Sequence, residues 1–257
     1  MKVSALRTPL LVTAALACCL AALAAPSSKE KDKGKDKAPE GQKIDSGSFG
    51  VFMSGHRVGT ETFSIYQSDT GSVIQSEFKT DNDPSQAVQD SRLELTANGD
   101  IRRYEWKELS PEKALSEISP NQEFLSQKWN AGPGDKDHEQ PYLLPPSTSI
   151  LDDYFFIHRE VLVWRFLAAA CKQEKGQVQC PLKQRTQFGT LNPRQHSSSP
   201  LSAEYLGREK INFKGNQLEF NKVEFKTEVG PWLLWLDDQF KVMRIFIEGD
   251  NTEVLRD

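Results

Sequence analysis

The sequence predicts an α+β domain in which a strongly curved antiparallel β-sheet, a half-barrel, wraps around one long apolar helix. Residues 48–129 and residues 202–250 each contain strand-length segments separated by turn signals. Between these two blocks lies a helix-like stretch, residues 150–171, with bulky apolar side chains on most of its sides. Hairpins interrupted by a single helix favour an antiparallel sheet over a βαβ arrangement.

The first 24 residues are typical of a secretory signal peptide. Lys2 and Arg7 precede an apolar run, and the small residues Ala22 and Ala24 favour cleavage after Ala24. The run is short for a bilayer core of ~30 Å, which argues against a retained membrane anchor. The predicted location is therefore the periplasm or the outside of the cell.

Residues 25–43 are predicted to form a charged, flexible tether, because they contain no aromatic residue with which to build a core. Residues 1–43 hold eight of the 32 Lys and Arg residues and four of the 36 Asp and Glu residues. The single predicted domain, residues 44–257, thus carries 24 basic and 32 acidic residues, a formal net charge of about −8. This balance argues against nucleic acid as a partner.

The N-terminal block begins with a predicted hairpin whose turn is Ser54-Gly55, and Asn98-Gly99 marks a second hairpin. The Gly, Pro and charged residues of positions 130–147 predict an exposed loop. Alternating segments predict the remaining strands of both blocks, at residues 71–80, 114–118, 123–129, 202–213, 216–229, 231–237 and 241–250.

The central stretch, "ILDDYFFIHREVLVWRFLAAAC", is predicted to be a helix that starts at an N-cap, Ser149, with Asp152 completing a weak capping box. At 100° per residue, Asp152, Asp153, Arg159 and Glu160 fall on one polar arc. Most of the remaining surface is apolar, which predicts a helix embedded in the sheet.

Two of the four cysteines, Cys18 and Cys19, belong to the predicted signal peptide. Cys171 and Cys180 remain, and in an oxidising compartment two such cysteines are expected to form a disulfide. The bridge would connect the end of the helix to the next strand. A C-x-x-C redox motif is absent from the sequence, which favours a structural role.

The sequence resembles a group of uncharacterised secreted bacterial domains related to the lipoprotein-carrier (LolA/LolB-like) half-barrels. The resemblance rests on the pattern from Gly55 to Gly59, on "ILDDYFF" before the helix, and on Trp235-Leu236-Asp237 followed by Arg244-Ile245. It implies a protein that holds an acyl chain or another apolar ligand between sheet and helix. None of the carriers' functional residues can be transferred to positions of this chain.

His158 and Arg165 are predicted to lie one above the other on the apolar side of the helix. Two interpretations remain open: a polar contact for a ligand head group, or a pair whose hydrogen bonds are satisfied inside the protein. The aromatic residues Trp232, Trp235 and Phe240 are interpreted either as core or as the mouth of a cavity. The candidate ligand-binding residues are Tyr154, His158, Trp164, Arg165, Trp232 and Trp235.

The sequence contains no G-x-S-x-G, H-E-x-x-H or P-loop motif and no second cluster that could complete a metal site with residues 135–139. We therefore predict no catalytic residues, no metal and no cofactor. The predicted function is that of a non-enzymatic, monomeric protein of the cell envelope that binds a lipid or another apolar small molecule. The alternative is a protein-interaction or sensor module with a filled core and an envelope protein as partner.

Overall fold

Strands dominate the computed structural model, which describes residues 39–81, 86–174, 176–228 and 230–257. The predicted signal peptide and residues 25–38 of the predicted tether lie outside the described residues. Strands account for 64% of the structure and helix for 7%, so the domain is mostly β. The described strands are β1 (Gln42–Met53), β2 (His56–Ser68), β3 (Gly71–Thr80), β4 (Val88–Thr96), β5 (Ile101–Ser110), β6 (Leu115–Asn121), β7 (Phe124–Asn130), β8 (His138–Tyr142), β9 (Ser149–Ile150), β10 (Lys172–Glu174), β11 (Gln177–Gln179), β12 (Arg185–Asn192), β13 (Ser197–Phe213), β14 (Asn216–Thr227), β15 (Gly230–Leu236), β16 (Val242–Ile247) and β17 (Thr252–Arg256).

In the described part of the chain, fifteen strands form one sheet in the order β8-β7-β6-β5-β4-β3-β2-β1-β17-β16-β15-β14-β13-β12-β9. Almost every neighbour in this order is also a neighbour in sequence and runs antiparallel. The exceptions are β1 with β17, which joins the two halves of the chain, and β9 with β12, which is parallel. Strands β10 and β11 form a separate two-stranded hairpin.

The predicted fold class, a half-barrel wrapped around one long apolar helix, is wrong. The sheet is large and not closed, and α1 (Ile157–Ala170) has only 14 residues. The helix does not begin at Ser149, because Ser149 and Ile150 pair with β12 and the Asp152 carboxylate is engaged elsewhere. Asp152 accepts hydrogen bonds from the Tyr104 hydroxyl at 2.8 Å and from the Tyr154 backbone N–H at 2.9 Å. These contacts hold the segment before α1 in a non-helical conformation.

The main core consists of side chains on one face of the sheet together with buried side chains of α1 and of the segment before it. Strand β4 buries every second residue, and the antiparallel registers extend this pattern across neighbouring strands. One such row of directly paired and almost fully buried residues runs from β2 to β6 and consists of Ile65, Ile74, Leu93, Tyr104 and Ile118. Full burial of an aliphatic side chain contributes about 1.5–3 kcal/mol, so this row stabilises the pairing of five strands.

Two tight turns show why the sequence forms these hairpins. Ser54 and Gly55, between β1 and β2, have φ values of 48° and 81°, and Lys214 and Gly215, between β13 and β14, have values of 51° and 82°. Two successive residues with positive φ define the turn whose twist matches that of paired strands. The predicted hairpin at Ser54-Gly55 is therefore confirmed.

A smaller apolar cluster lies on the other face of β13–β16 and contains Phe213, Phe220 and Trp235.

Within the described residues, no helix is long and apolar enough to cross a membrane.

Candidate functional site

An open cleft of about 440 Å³ lies beside the C-terminal half of α1. Three parts of the chain form its walls: the last turns of the helix, the β10–β11 hairpin, and the turn between β15 and β16. The lining residues are Trp164, Leu167, Ala168, Cys171, Lys172, Gln173, Val178, Gln239 and Phe240. Six of these nine side chains are apolar or sulfur-containing, and the volume lies in the range of small-molecule sites, roughly 300–1,000 Å³.

The helix contributes the first wall because its C-terminal half emerges from the core. Val163 and Phe166 are buried, whereas Leu167 is half-buried and Ala168 and Ala169 are exposed. Alanine side chains keep this part of the helix narrow, which leaves room for the cleft without interrupting the backbone hydrogen bonds of the helix.

The second wall is the hairpin closed by the Cys171–Cys180 disulfide, which confirms the predicted pairing. The backbone N–H of Cys171 still donates to the carbonyl oxygen of Leu167 at 2.9 Å, so the bridge starts directly at the helix end. Strands β10 and β11 share three residue pairs, and Val178 packs against the main core. A two-stranded hairpin of this size is marginally stable alone, and the disulfide ties it to the helix.

Phe240 forms the third wall in an unusual backbone conformation. Its φ is 58°, in the left-handed region that bulky side chains rarely adopt. The turn is held by Asp237, whose carboxylate accepts the N–H groups of Gln239 and Lys241 at 2.8 and 2.9 Å. The Trp164 indole N–H also donates to the Phe240 carbonyl oxygen. A strained conformation that its surroundings enforce is frequent at functional sites.

The polar side chains of the cleft are one cation and two amides: Lys172, Gln173 and Gln239. Among the described residues that line the cleft there is no carboxylate. Lys172 has no ion-pair partner among the described residues of the chain. This is notable because acidic residues outnumber basic ones in the domain as a whole. The cleft is therefore an apolar surface with positive charge at its rim.

The N-terminal half of α1 is fixed to the sheet by a carboxylate that is distant in sequence. Glu61, on β2, is fully buried and accepts the N–H groups of Phe156 and Ile157 at 2.7 and 3.3 Å. Ser76 donates its hydroxyl to the same carboxylate at 2.6 Å. Burial raises the pKa of Glu61 to about 7, although these hydrogen bonds favour its ionised form. Glu61 thus satisfies the free N–H groups that start a helix, the role predicted for Ser149.

A second buried group joins the helix to three strands. The Glu160 carboxylate accepts the Val242 N–H at 2.7 Å and lies 3.9 Å from Arg256. Burial and the neighbouring Asp45 raise the pKa of Glu160 well above its usual range. Asp45 in turn pairs with Lys241 at 2.9 Å and with Arg256. Burial alone would raise the pKa of Asp45, but hydrogen bonds with its neighbours lower it.

Arg159 completes the buried polar side of the helix. Its guanidinium donates to the carbonyl oxygens of Asp152 and Phe155 and lies 4.6 Å from the Trp232 ring centroid. Three members of the predicted polar arc, Asp152, Arg159 and Glu160, are thus buried, whereas Asp153 and the alanine-rich end of the helix are exposed. Arg159 and Glu160 each make at least one hydrogen bond, which offsets part of the cost of burying a polar group.

The structure brings His158 and Arg165 together at a second cavity, of about 10 Å³, the size of a single water molecule. His158 is buried, and within the described residues neither ring nitrogen has a hydrogen-bond partner. Burial lowers its pKa to about 3. Arg165 donates to the Ser149 hydroxyl at 2.9 Å and to the Ser147 carbonyl oxygen at 2.7 Å.

The other sequence-predicted residues lie apart from one another. Trp164 lines the cleft. The guanidinium carbon of Arg194 lies 4.4 Å from the ring centroid of Tyr154. The Trp232 ring packs on the guanidinium group of Arg159. Trp235 is on the opposite face of the sheet, where its indole N–H donates to Glu209 at 2.7 Å.

Several cleft residues were not among the sequence-predicted ligand-binding set. Leu167 and Ala168 belong to the predicted helix. The predicted disulfide indicated only a link from the helix end to the next strand, and the β10–β11 hairpin and its packing beside the helix were not predicted. Phe240 was noted only as part of an aromatic cluster. Lys172 and Gln173 carry no motif at all.

Within the described residues, no group of three or more His, Cys, Asp or Glu side chains could hold a metal ion. Comparisons with protein-family models, with curated proteins and with solved structures found no match to this chain. The resemblance to the lipoprotein carriers therefore stays a prediction.

Proposed function

We propose that this protein is a non-enzymatic binding protein whose apolar ligand occupies the cleft beside α1. The observation that carries the proposal is the combination of volume and lining: about 440 Å³ between Trp164, Leu167, Val178 and Phe240. Burial of a ligand's apolar surface against such walls is favourable by about 25 cal/mol per Å².

The cleft is a better candidate for the ligand than the interior around His158. That interior cavity measures about 10 Å³, too small for an acyl chain. The ligand is thus proposed to bind at the exposed end of the helix and not deep between helix and sheet.

The signal-like N-terminus and the disulfide support an oxidising location such as the periplasm or the cell exterior. Lipids and other apolar molecules in such a compartment need a protein surface that shields them from water. A disulfide-closed wall suits a binding site that must persist there.

The alternative is an interaction module that binds an envelope protein. A filled interior is compatible with both functions. The two differ in what occupies the cleft. An apolar small molecule would bind it saturably at one equivalent, whereas an interaction module would leave it unoccupied by such probes.

A titration of the purified full-length chain with the neutral fluorophore N-phenyl-1-naphthylamine tests the proposal. We expect saturable binding at one equivalent that Ala168→Trp weakens at least tenfold, because the indole fills the cleft. Ala169→Trp is the matched control, since Ala169 is also exposed on the same turn but does not line the cleft. Equal binding by the two variants, or no binding by the wild type, would contradict the proposal.

A further inference from the structure

We infer that the ligand of this cleft is a single-chain anionic amphiphile, a long-chain carboxylate, whose acid group pairs with Lys172. The inference rests on the proposed function, because it names the class of ligand for the same cleft. It comes from the distribution of charge around the apolar walls.

The rim of the cleft is polar on the hairpin side and on the side of the β15–β16 turn. Lys172 and Gln173 come from β10, directly after Cys171, and Gln239 comes from the turn that precedes Phe240. An ammonium group and amide N–H groups are hydrogen-bond donors that suit a carboxylate. Among the described lining residues there is no acidic side chain to repel it.

The nearby cation Lys241 is not available for this role. Its ammonium group is 2.9 Å from the Asp45 carboxylate and also donates to the carbonyl oxygen of Ile44. Arg165, on the preceding helical turn, is bonded to Ser147 and Ser149. Lys172 has no such partner within the described residues, so its charge is available to an anion at the rim.

The apolar part of the ligand then extends from the rim along the aromatic and aliphatic walls. Trp164 and Phe240 are joined by the indole hydrogen bond and form one continuous surface. Leu167 and Val178 face this surface from the helix and from the hairpin. A ligand with one polar end and one flexible chain matches a cleft with one polar rim and apolar walls.

Affinities for three ligands with the same twelve-carbon chain test the head group: dodecanoate, dodecan-1-ol and dodecyltrimethylammonium. Measurements are made at pH 8, with the two ionic ligands below their critical micelle concentrations and the alcohol below its solubility limit. We expect dodecanoate to bind about fivefold more tightly than the alcohol and the ammonium compound to bind most weakly, since a solvent-exposed ion pair makes a modest contribution. The preference for dodecanoate should fall as salt is raised from 20 to 500 mM.

Lys172→Ala should remove the preference for dodecanoate, and Lys172→Glu should reverse it. Lys172→Arg should retain it, because the positive charge is kept. Lys183→Glu is the matched control, because Lys183 is exposed, lies just beyond Cys180 and does not line the cleft. Equal affinities for the three ligands, with all three abolished by Ala168→Trp, would overturn the inference and leave the proposed function intact. Equal losses of dodecanoate binding in Lys172→Glu and Lys183→Glu would also overturn it. No binding of any of the three would contradict the proposed function itself.

Discussion

The indole N–H of Trp164 donates to the carbonyl oxygen of Phe240 at 3.0 Å, which connects the helix to a turn that holds a phenylalanine in the left-handed conformation. The bond joins two residues that are 76 positions apart and line the same cleft. The side chain of Phe240 is buried although its backbone is strained. The position of this wall is therefore set by tertiary contacts and not by local preference.

Phe240→Gly should be more stable than Phe240→Ala by about 1 kcal/mol, because glycine adopts a φ near 58° without the steric cost that any Cβ imposes. At positions with an ordinary negative φ, a glycine variant is less stable than the alanine variant. Both variants should be less stable than the wild type by about 3–5 kcal/mol, because both lose a buried aromatic ring. Urea unfolding of the three proteins measures this order, and a more stable alanine variant would show that the turn is not strained.

Replacement of Cys171 and Cys180 by serine should lower the free energy of unfolding by about 2–3 kcal/mol, the amount expected for a short closed loop. The hairpin should then fray, since three residue pairs hold it otherwise. Binding of N-phenyl-1-naphthylamine should weaken more than tenfold while the far-ultraviolet circular dichroism of the sheet is retained. The wild type treated with a dithiol serves as control and should behave like the double variant; full affinity in both would show that the hairpin is not needed as a wall.

The hairpins could be predicted from sequence because their information is local. Ser54-Gly55 specifies a turn, and strands such as β4 alternate clearly between the two faces. Other elements could not be predicted in this way. Strand β8 lies in a segment whose proline and glycines indicate a loop, and it forms because β7 offers a free edge to pair with.

The helix start was mispredicted because its determinants are distant in sequence. Periodicity places Asp152, Arg159 and Glu160 on a polar arc, and a polar arc normally faces water. Here Glu61 binds the first N–H groups from 95 residues away, and Glu160 binds Val242 over 82 residues. A pattern within one segment carries no information about such partners, so it placed the helix start at Ser149 and did not indicate that Arg159 and Glu160 are buried.

Glu61→Gln should become more stable relative to the wild type as pH rises from 4.5 to 7.5. Burial raises the pKa of Glu61 from 4.5 to about 7, so the folded state holds the proton more tightly than the unfolded state. The contribution of this proton to stability is full below pH 4.5 and is lost as pH rises toward 7. With about 1.4 kcal/mol for each tenfold change in proton affinity, the loss is on the order of 3 kcal/mol.

Urea unfolding of the wild type and the glutamine variant at pH 4.5, 6 and 7.5 measures this difference. Glu123→Gln is the control at an exposed position in the turn between β6 and β7 and should change stability by less than about 0.5 kcal/mol at each pH. A constant difference between the wild type and Glu61→Gln would show that Glu61 is ionised throughout and that the helix start holds a full negative charge.

His158→Phe should stabilise the protein at pH 7 and reduce its sensitivity to acid. In the wild type, two buried ring nitrogens without protein partners are removed from water, at a cost of about 1–3 kcal/mol. Phenylalanine keeps the edge-on ring contact with Tyr104, whose centroid is 5.4 Å away. Burial lowers the pKa of His158 from 6.5 to about 3, so acid protonates the unfolded state first, and stability falls as pH drops from 6.5 toward 3.

The acid-dependent loss due to His158 should be on the order of 4 kcal/mol in the wild type and absent from His158→Phe, so the stability difference between the two proteins should grow as pH falls. Chemical unfolding between pH 7 and pH 3.5 measures it, with His56→Gln as a control that removes an imidazole from an exposed position at the start of β2. A parallel decrease in stability of wild type and His158→Phe would show that His158 is protonated inside the fold. In that case the cavity it shares with Arg165 would have to supply a hydrogen-bond acceptor for the charged ring.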